Sequence, residues 1–518
     1  MKRRHIPYVI ALTAGLQLMS GCNNFLDIKP KGTDLESNFY RNEDEAFKAL
    51  IAVYDVVGWQ GNGYVTRVGT FNAASDDHVA GGGGPTDIND FQVISNYTLT
   101  PEVGPHNELW RKGFSGVFRA NVILTKLPTI PMDENKKKRF TAEAKFLRAY
   151  FYFDLVRMFK NVPLFTKPVQ TSEMYDVLQA PPADVYKQVE QDLKDAIAEA
   201  NLPNTVPIAT EGGRVTKGAA HALLGKVYLY QQQWAAAVTE FENVNGTTPG
   251  QLNPTYGYKL LDNFANLWKS DLASKFNSES VFEISYTSTS AGGWGCVSCT
   301  EGNVLNIMVG PRGYKTLVAG APDYASGWSF LPVTTSLFDA IHFDPRYKST
   351  VANLDSLEKN KIVTYEKGYM NTGYFLEKLA GRLSNKTTGG GAVELNYPQN
   401  IYDIRLADTY LMEAEARVRG GESGANGTRS YALLNAVRAR VGLSPIIATI
   451  DNIFDERRLE LAGEGHRWFD LVRSGKAATN AVLLARGFKP EKHSILPVPL
   501  LELDNTKMEQ SKEWGGTK

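Results

Sequence analysis

The stretch Leu224-Gly225-Lys226-Val227-Tyr228, followed by Ala237-Val238-Thr239-Glu240-Phe241 and closed by Pro249, sets out two helices that pack as a pair. Tetratricopeptide (TPR) units place L-G-x2-Y in a first helix and A-x3-F in a second, with a late proline. The small residue lets the two helices approach closely, and Tyr and Phe fill the space between neighbouring pairs. A partial echo lies at Leu406-Ala407 and Tyr410, followed by Leu411-Met412-Glu413-Ala414-Glu415-Ala416. There the turn is lengthened by Gly420-Gly421-Glu422-Ser423-Gly424, and a second helix is predicted over 431–440. Working outward, residues 107–127 carry Leu109, Trp110, Phe114, Val117, Phe118, Val122 and Leu124 at helical spacing, and the run ends before Pro128. Residues 133–159 form another long helix, whose Ala149-Tyr150-Phe151-Tyr152-Phe153 is apolar nearly all round and belongs inside. The pattern continues over 182–200 with Val185, Val189, Leu193 and Ile197. One full and one partial repeat predict a mainly α protein: TPR-like helix pairs form a scaffold without becoming a regular solenoid.

Two stretches break this pattern. Residues 58–101 contain Gly81-Gly82-Gly83-Gly84-Pro85 with many Asn and Asp, and read as long loops. Residues 280–332 hold short strand-like runs such as Val281-Phe282-Glu283-Ile284-Ser285-Tyr286, interrupted by Gly and Trp. Long irregular segments in a compact protein are functional or disordered, and the aromatic content of these two favours function. The expected binding half is therefore irregular and loop-rich, with short strands.

The N-terminus reads as an export signal. Lys2, Arg3 and Arg4 precede a short apolar run, Ile6 to Met19, which is too short to span a bilayer comfortably. Met19-Ser20-Gly21-Cys22 then resembles a bacterial lipobox, in which Cys22 becomes the lipidated first residue of the mature chain. Such a protein is anchored to a membrane and does not cross it. The precursor has 56 basic and 56 acidic residues; removal of residues 1–21 takes away three bases and no acid, leaving 53 against 56, a net charge of −3. That balance disfavours nucleic acid and polybasic contacts with lipid. The other two cysteines, Cys296 and Cys299, form a C-x-x-C without the second ligand pair that zinc needs. In an exported chain a local disulfide is expected, with a pair of free thiols as the alternative.

Catalytic signatures are absent. The chain has no G-x-x-x-x-G-K-[ST], no G-x-S-x-G and no H-E-x-x-H, and its seven histidines lack ligand spacing. No metal or cofactor is expected. Residues 455–473 do gather acids, bases and His466. However, Arg457 and Arg458 alternate with carboxylates at ion-pair spacing, which favours a structural network over an active site. Spacing alone leaves open a glycosidase carboxylate pair.

The same block, Glu456-Arg457-Arg458-Leu459-Glu460-Leu461-Ala462-Gly463-Glu464-Gly465-His466-Arg467-Trp468-Phe469-Asp470-Leu471-Val472-Arg473, resembles the signature helix of the SusD/RagB family. These are nutrient-binding outer-membrane lipoproteins of Bacteroidetes. Further matching blocks appear in order: Cys22-Asn23-Asn24-Phe25-Leu26-Asp27, Ala142 to Val156, Arg214 to Ala220, and Leu496-Pro497-Val498-Pro499 with Glu502, Asn505 and Gln510. The resemblance implies a signal peptide over 1–21, a SusD-like N-terminal part over 22–280 and a RagB/SusD C-terminal part over 281–518. It also implies four TPR-like helix pairs, no catalysis, and a surface receptor that lids a SusC-like TonB-dependent transporter and passes oligosaccharides to it. A peptide receptor of the RagB type and a surface glycoside hydrolase are the competing functions. A glycan site needs aromatic faces for sugar C–H surfaces and planar polar groups for hydroxyls. The irregular stretches offer Trp59, Asp76, Asp77, His78, Tyr286, Trp294, Tyr314 and Trp328. Trp328 also lies in a block that the family shares, so a structural role is open for it. Trp110 and Trp468 fit helix cores.

Overall fold

The computed structural model describes residues 39–386 and 389–516; residues 1–21, expected to be a signal peptide, and Cys22 lie outside them. We number the long helices in chain order: α1 Glu43–Gly58, α2 His106–Lys126, α3 Glu134–Phe159, α4 Pro182–Ala198, α5 Lys217–Tyr230, α6 Trp234–Asn245, α7 Leu406–Arg419, α8 Arg429–Arg440 and α9 Ile450–Glu460. Several starts follow directly from the sequence. Asn42, Asp133, Thr216 and Thr428 each accept a hydrogen bond from a backbone N–H of the first turn, satisfying donors that a helix start leaves unpaired.

The helices pack in four pairs, α1/α2, α3/α4, α5/α6 and α7/α8, and each pair packs on the next. Close approach depends on small residues. A Cβ at Gly225 of α5 would sit 2.8 Å from the Phe241 ring of α6, and one at Gly116 of α2 would sit 2.3 Å from the Phe151 ring of α3. Gly225 and Phe241 are the Gly and Phe positions of the repeat pattern, and their contact explains why the first helix of the pair cannot carry a larger residue there. The apolar run Ala149–Phe153 is buried throughout, as its sequence requires.

Residues 246–405 interrupt the repeat between α6 and α7. They are mostly irregular, with six short strands among the described residues, paired antiparallel as three two-stranded sheets; the longest pair is β1 Ser280–Ile284 with β2 Ile401–Arg405. Residues 59–105 join them, and here the expectation of uninterrupted loops is corrected. Two short helices, Arg67–Ala73 and Asn89–Ser95, lie within that stretch, the first capped by the Thr66 side chain. Gly81 and His78 bridge antiparallel to Phe330 and Val333, which stitches the two irregular segments together. Arg67 joins them to the scaffold, since its guanidinium contacts Asp154 of α3 at 3.2 Å and also Asp403 of β2. Among the described residues, no helix is long and apolar enough to cross a membrane.

Candidate functional site: an aromatic arc on the irregular half

The acid-rich block around Glu460 is scaffold. Glu460 is buried and accepts from Arg346 Nη1 at 2.9 Å, from Arg405 Nη1 at 2.5 Å, and from Arg440. Arg457 bridges Asp408 and Asp470 at 2.7 and 2.8 Å, and Arg473 pairs with Glu415 at 2.7 Å. Burial alone would lower the His466 imidazole, and it does so, to about 4. An acid and base held neutral or locked in pairs, away from solvent, have no access to a substrate.

The same network reaches the candidate residues of the first irregular stretch. Asp76 accepts two hydrogen bonds from Arg467 at 2.8 Å each, and Arg458 Nε donates to Asp77 at 2.8 Å. Burial would raise the Asp76 carboxyl, yet the Arg467 pairing overrides it and holds the group well below the carboxylate range. His78 is fully buried, with Nδ1 3.0 Å from the Leu331 carbonyl oxygen, and desolvation lowers its pKa. These three side chains therefore face inward. The His78 side chain and the Asp76 backbone hold the segment 329–334, since Thr334 Oγ1 donates to the Asp76 carbonyl at 2.7 Å, while the two carboxylates tie this stretch to the signature block.

Tyr286 and Tyr314 are likewise buried. Their hydroxyls donate to the carbonyls of Gly58 and Pro322 at 2.7 and 2.6 Å. Trp59 is half-buried, and its ring is already engaged by Arg111 and Arg119, at 5.5 and 5.2 Å from the centroid.

The structure brings Trp294 and Trp328 together. Their ring centroids are 5.9 Å apart with planes tilted by 37°, and Tyr64 continues the series 6.1 Å from Trp328 at 56°. Trp294 is 54% exposed and Tyr64 38% exposed, while Trp328 is half-buried between them. The result is a non-planar arc of three aromatic faces open to solvent. Tyr64 is not among the candidates taken from the sequence. Its only local signal is its place after Gly61-Asn62-Gly63, in the same stretch as Trp59.

Arg312 also escapes the sequence reading. Its Nη2 donates to the Trp328 carbonyl at 3.1 Å and lies 3.7 Å from Asp87 Oδ2, which in turn accepts the Gly83 N–H at 2.7 Å. Both side chains are about one-third exposed. They put a planar cation and a carboxylate next to the Trp328 backbone, groups of the kind that hydroxyl-rich ligands require.

Each ring is positioned differently. Trp328 sits between two backbone partners: its own N–H donates to the Ile307 carbonyl at 2.9 Å, and the following Ser329 carbonyl accepts from Gly82 at 2.8 Å. Ser329 and Leu331 adopt φ of 61° and 56°, left-handed conformations that cost non-glycine residues about 1–3 kcal/mol each and concentrate at functional sites. Tyr64 lies on a loop tied down by Lys112 of α2, whose Nζ donates to the carbonyls of Trp59, Asn62 and Val65 at 3.0, 3.4 and 2.7 Å. Burial pushes the Lys112 ammonium down to about 8. Replacing Lys112 with Ala leaves three carbonyls without this donor. We expect a stability loss of about 1–3 kcal/mol and faster amide exchange across residues 59–65, read by hydrogen-exchange mass spectrometry. Unchanged exchange there would mean that the loop is held by something else.

Fold and site together define a helical-repeat scaffold that carries an irregular half with an exposed aromatic arc. Comparison with known proteins supplies the family. Residues 278–494 match the model described as the SusD family, and residues 24–229 match one described as starch-binding associating with outer membrane. A solved laminarin-binding SusD-like protein is 50% identical, with a TM-score of 0.86, covering 91% of this chain and 99% of its own. Surface glycan-binding protein A from Bacteroides thetaiotaomicron, solved in complex with laminarihexaose, is 26% identical with a TM-score of 0.77, covering 89% and 97%. SusD-like protein P38 of Formosa agariphila is 25% identical over 92% of each chain. The chain belongs to the SusD/RagB family.

Proposed function

We propose that this protein is a non-catalytic cell-surface glycan receptor, anchored to the outer membrane through lipid on Cys22, which hands oligosaccharide to a SusC-like TonB-dependent transporter. The observation that carries the reading is the arc of Tyr64, Trp328 and Trp294. Three rings in series, with Trp328 near both Tyr64 and Trp294 and with Arg312 and Asp87 at the Trp328 backbone, suit a run of pyranose units with their hydroxyls at the edge.

The tilts of 37° and 56° narrow the ligand class. A flat β-1,4 ribbon would meet only one of these planes squarely, whereas a β-1,3-linked glucan curves and can present successive units to successive rings. The 50% identity to a laminarin-binding SusD-like protein points to the same class.

The test is calorimetric titration of the mature chain with laminarihexaose, cellohexaose, a maltooligosaccharide and a mixed peptide pool, with reducing ends assayed afterwards. Binding of laminarihexaose at least tenfold tighter than of the others, without new reducing ends, is the expected result. Release of reducing ends would establish a hydrolase instead, and saturable binding of peptides alone would establish the RagB-type reading.

A further inference from the structure

Trp294 lies on an arm, residues 290–300, that is fixed at its two ends and has an exposed crest around Trp294–Cys296. At one end the Gly292 carbonyl accepts from Ala392 N and from Asn396 Nδ2, both at 3.0 Å. At the other end Thr300 is buried. Its hydroxyl donates to Asn62 Oδ1 at 3.2 Å, and its carbonyl accepts from Asn62 Nδ2. Asn62 belongs to the Gly61-Asn62-Gly63-Tyr64 turn, so this end of the arm is attached to the loop that carries the third ring of the arc.

Between those anchors the backbone makes two tight turns. Cys296 N donates to Gly293 O and Cys299 N donates to Cys296 O, each at 3.0 Å. Trp294 is in the first turn, and the second is closed by a disulfide between Cys296 and Cys299. Trp294, Gly295, Cys296 and Cys299 are all exposed, while Val297 between the cysteines is half-buried and packs on the main core. Two turn hydrogen bonds open to water are weak restraints on a glycine-rich segment, Gly292-Gly293-Trp294-Gly295. The Val297 carbonyl also accepts from Thr300 Oγ1 at 2.8 Å and Thr300 N at 3.3 Å, which ties the C-terminal side of the second turn, and the disulfide adds a covalent link across that turn, next to Trp294.

We propose that the Cys296–Cys299 disulfide is a positioning element of the glycan site, holding the 293–299 turn so that the Trp294 ring meets Trp328 and extends the arc. This rests on the glycan-receptor reading and adds to it a residue pair that touches no sugar. In the linked form the Trp294 ring is ordered before ligand arrives. In the open form, binding must order it, and immobilising one large side chain with its turn lowers affinity about 3- to 10-fold.

The test uses the mature full-length chain in three forms: wild type, Cys296→Ser/Cys299→Ser, and wild type treated with a trialkylphosphine. In the last form water supplies the oxygen that the phosphine gains as phosphine oxide, and the two sulfurs leave as thiols. Laminarihexaose affinity is measured for each, and again in a Trp294→Ala background. The expected result is a 3- to 10-fold loss in both opened forms and no further loss once Trp294 is already absent. A general destabilisation would weaken binding in both backgrounds, so an undiminished effect in Trp294→Ala overturns the proposal, as does unchanged affinity on opening the disulfide. A second measurement needs no ligand. Amide exchange of residues 293–300 should accelerate when the link is opened, and identical exchange in the linked and opened forms overturns the proposal. If wild type binds no glucan at all, the receptor reading fails while the exchange result still decides whether the disulfide orders the arm.

Discussion

Replacing Trp328 with Ala is expected to lower affinity for laminarihexaose by roughly 30- to 700-fold, about 2–4 kcal/mol, the range of a central aromatic hot spot. Trp328 is singled out because it is the one ring that neighbours both others, at 5.9 Å from Trp294 and 6.1 Å from Tyr64. Its loss divides a three-ring surface into two separate rings and removes the half-buried face against which a sugar can be most fully desolvated. Trp294→Ala should cost less, because that ring lies at one end of the arc and is more than half exposed. Tyr314→Phe should leave glycan affinity unchanged, since the Tyr314 hydroxyl is spent on the Pro322 carbonyl. Titration calorimetry of the three variants gives the ranking. If Trp328→Ala binds within threefold of wild type, the sugar does not lie on this arc.

Much of the scaffold is legible in the amino-acid sequence. Helix pairs announce themselves because burial on one face imposes a 3.6-residue period, and because the close contact of Gly225 with Phe241 needs those residue types at that spacing. The signature block is also readable as an ion-pair network from its alternating charges. The site is less legible, for two physical reasons. The arc is assembled from positions 64, 294 and 328, on loops whose exposed rings follow no period, so nothing in the sequence marks Tyr64 or Arg312 apart from other loop residues. Conversely, Asp76 and Asp77 look like exposed loop acids because their cations, Arg467 and Arg458, lie 391 and 381 residues away. A polar residue in a glycine-rich segment can be buried when the charge that satisfies it comes from a distant helix.

Those distant pairs give the signature block a role in the site that it never touches. From Arg458 and Arg467 the contacts run to Asp77 and Asp76, and from the backbone there to Thr334. His78 reaches the Leu331 carbonyl, and the Ala80 carbonyl accepts from the Leu331 N–H at 2.9 Å. Two left-handed non-glycine residues beside Trp328 are tolerated because both sides of their backbone are occupied. The helical half thus does more than carry the irregular half, since it supplies the charges that fix the turn next to the central ring.

Glu460→Gln should be the most damaging single change in the scaffold, costing about 3–5 kcal/mol of stability. The substitution keeps the shape and removes one negative charge from the midst of Arg346, Arg405 and Arg440, all of which are buried to within a few per cent. Burying an ion pair gains little over an apolar core, but removing one partner leaves cations out of water without their counter-charge. By contrast, breaking the exposed Lys48–Asp44 pair with Lys48→Ala should leave the urea midpoint unchanged, because both side chains are more than 60% exposed. Acid should act in the same direction as the Gln variant. Burial raises the Glu460 pKa, and the pull of Arg440, Arg405 and Arg346 outweighs it, so the carboxyl lies well below its usual range. A carboxyl depressed in the folded state stabilises fully above the unfolded value near 4.3 and loses that contribution as pH falls toward the folded value. The Gln variant has already lost it. Urea midpoints measured from pH 7 down into acid should therefore start far apart and converge at the lowest pH. Midpoints that differ by the same amount at every pH would show that the Glu460 charge is not what holds the network together.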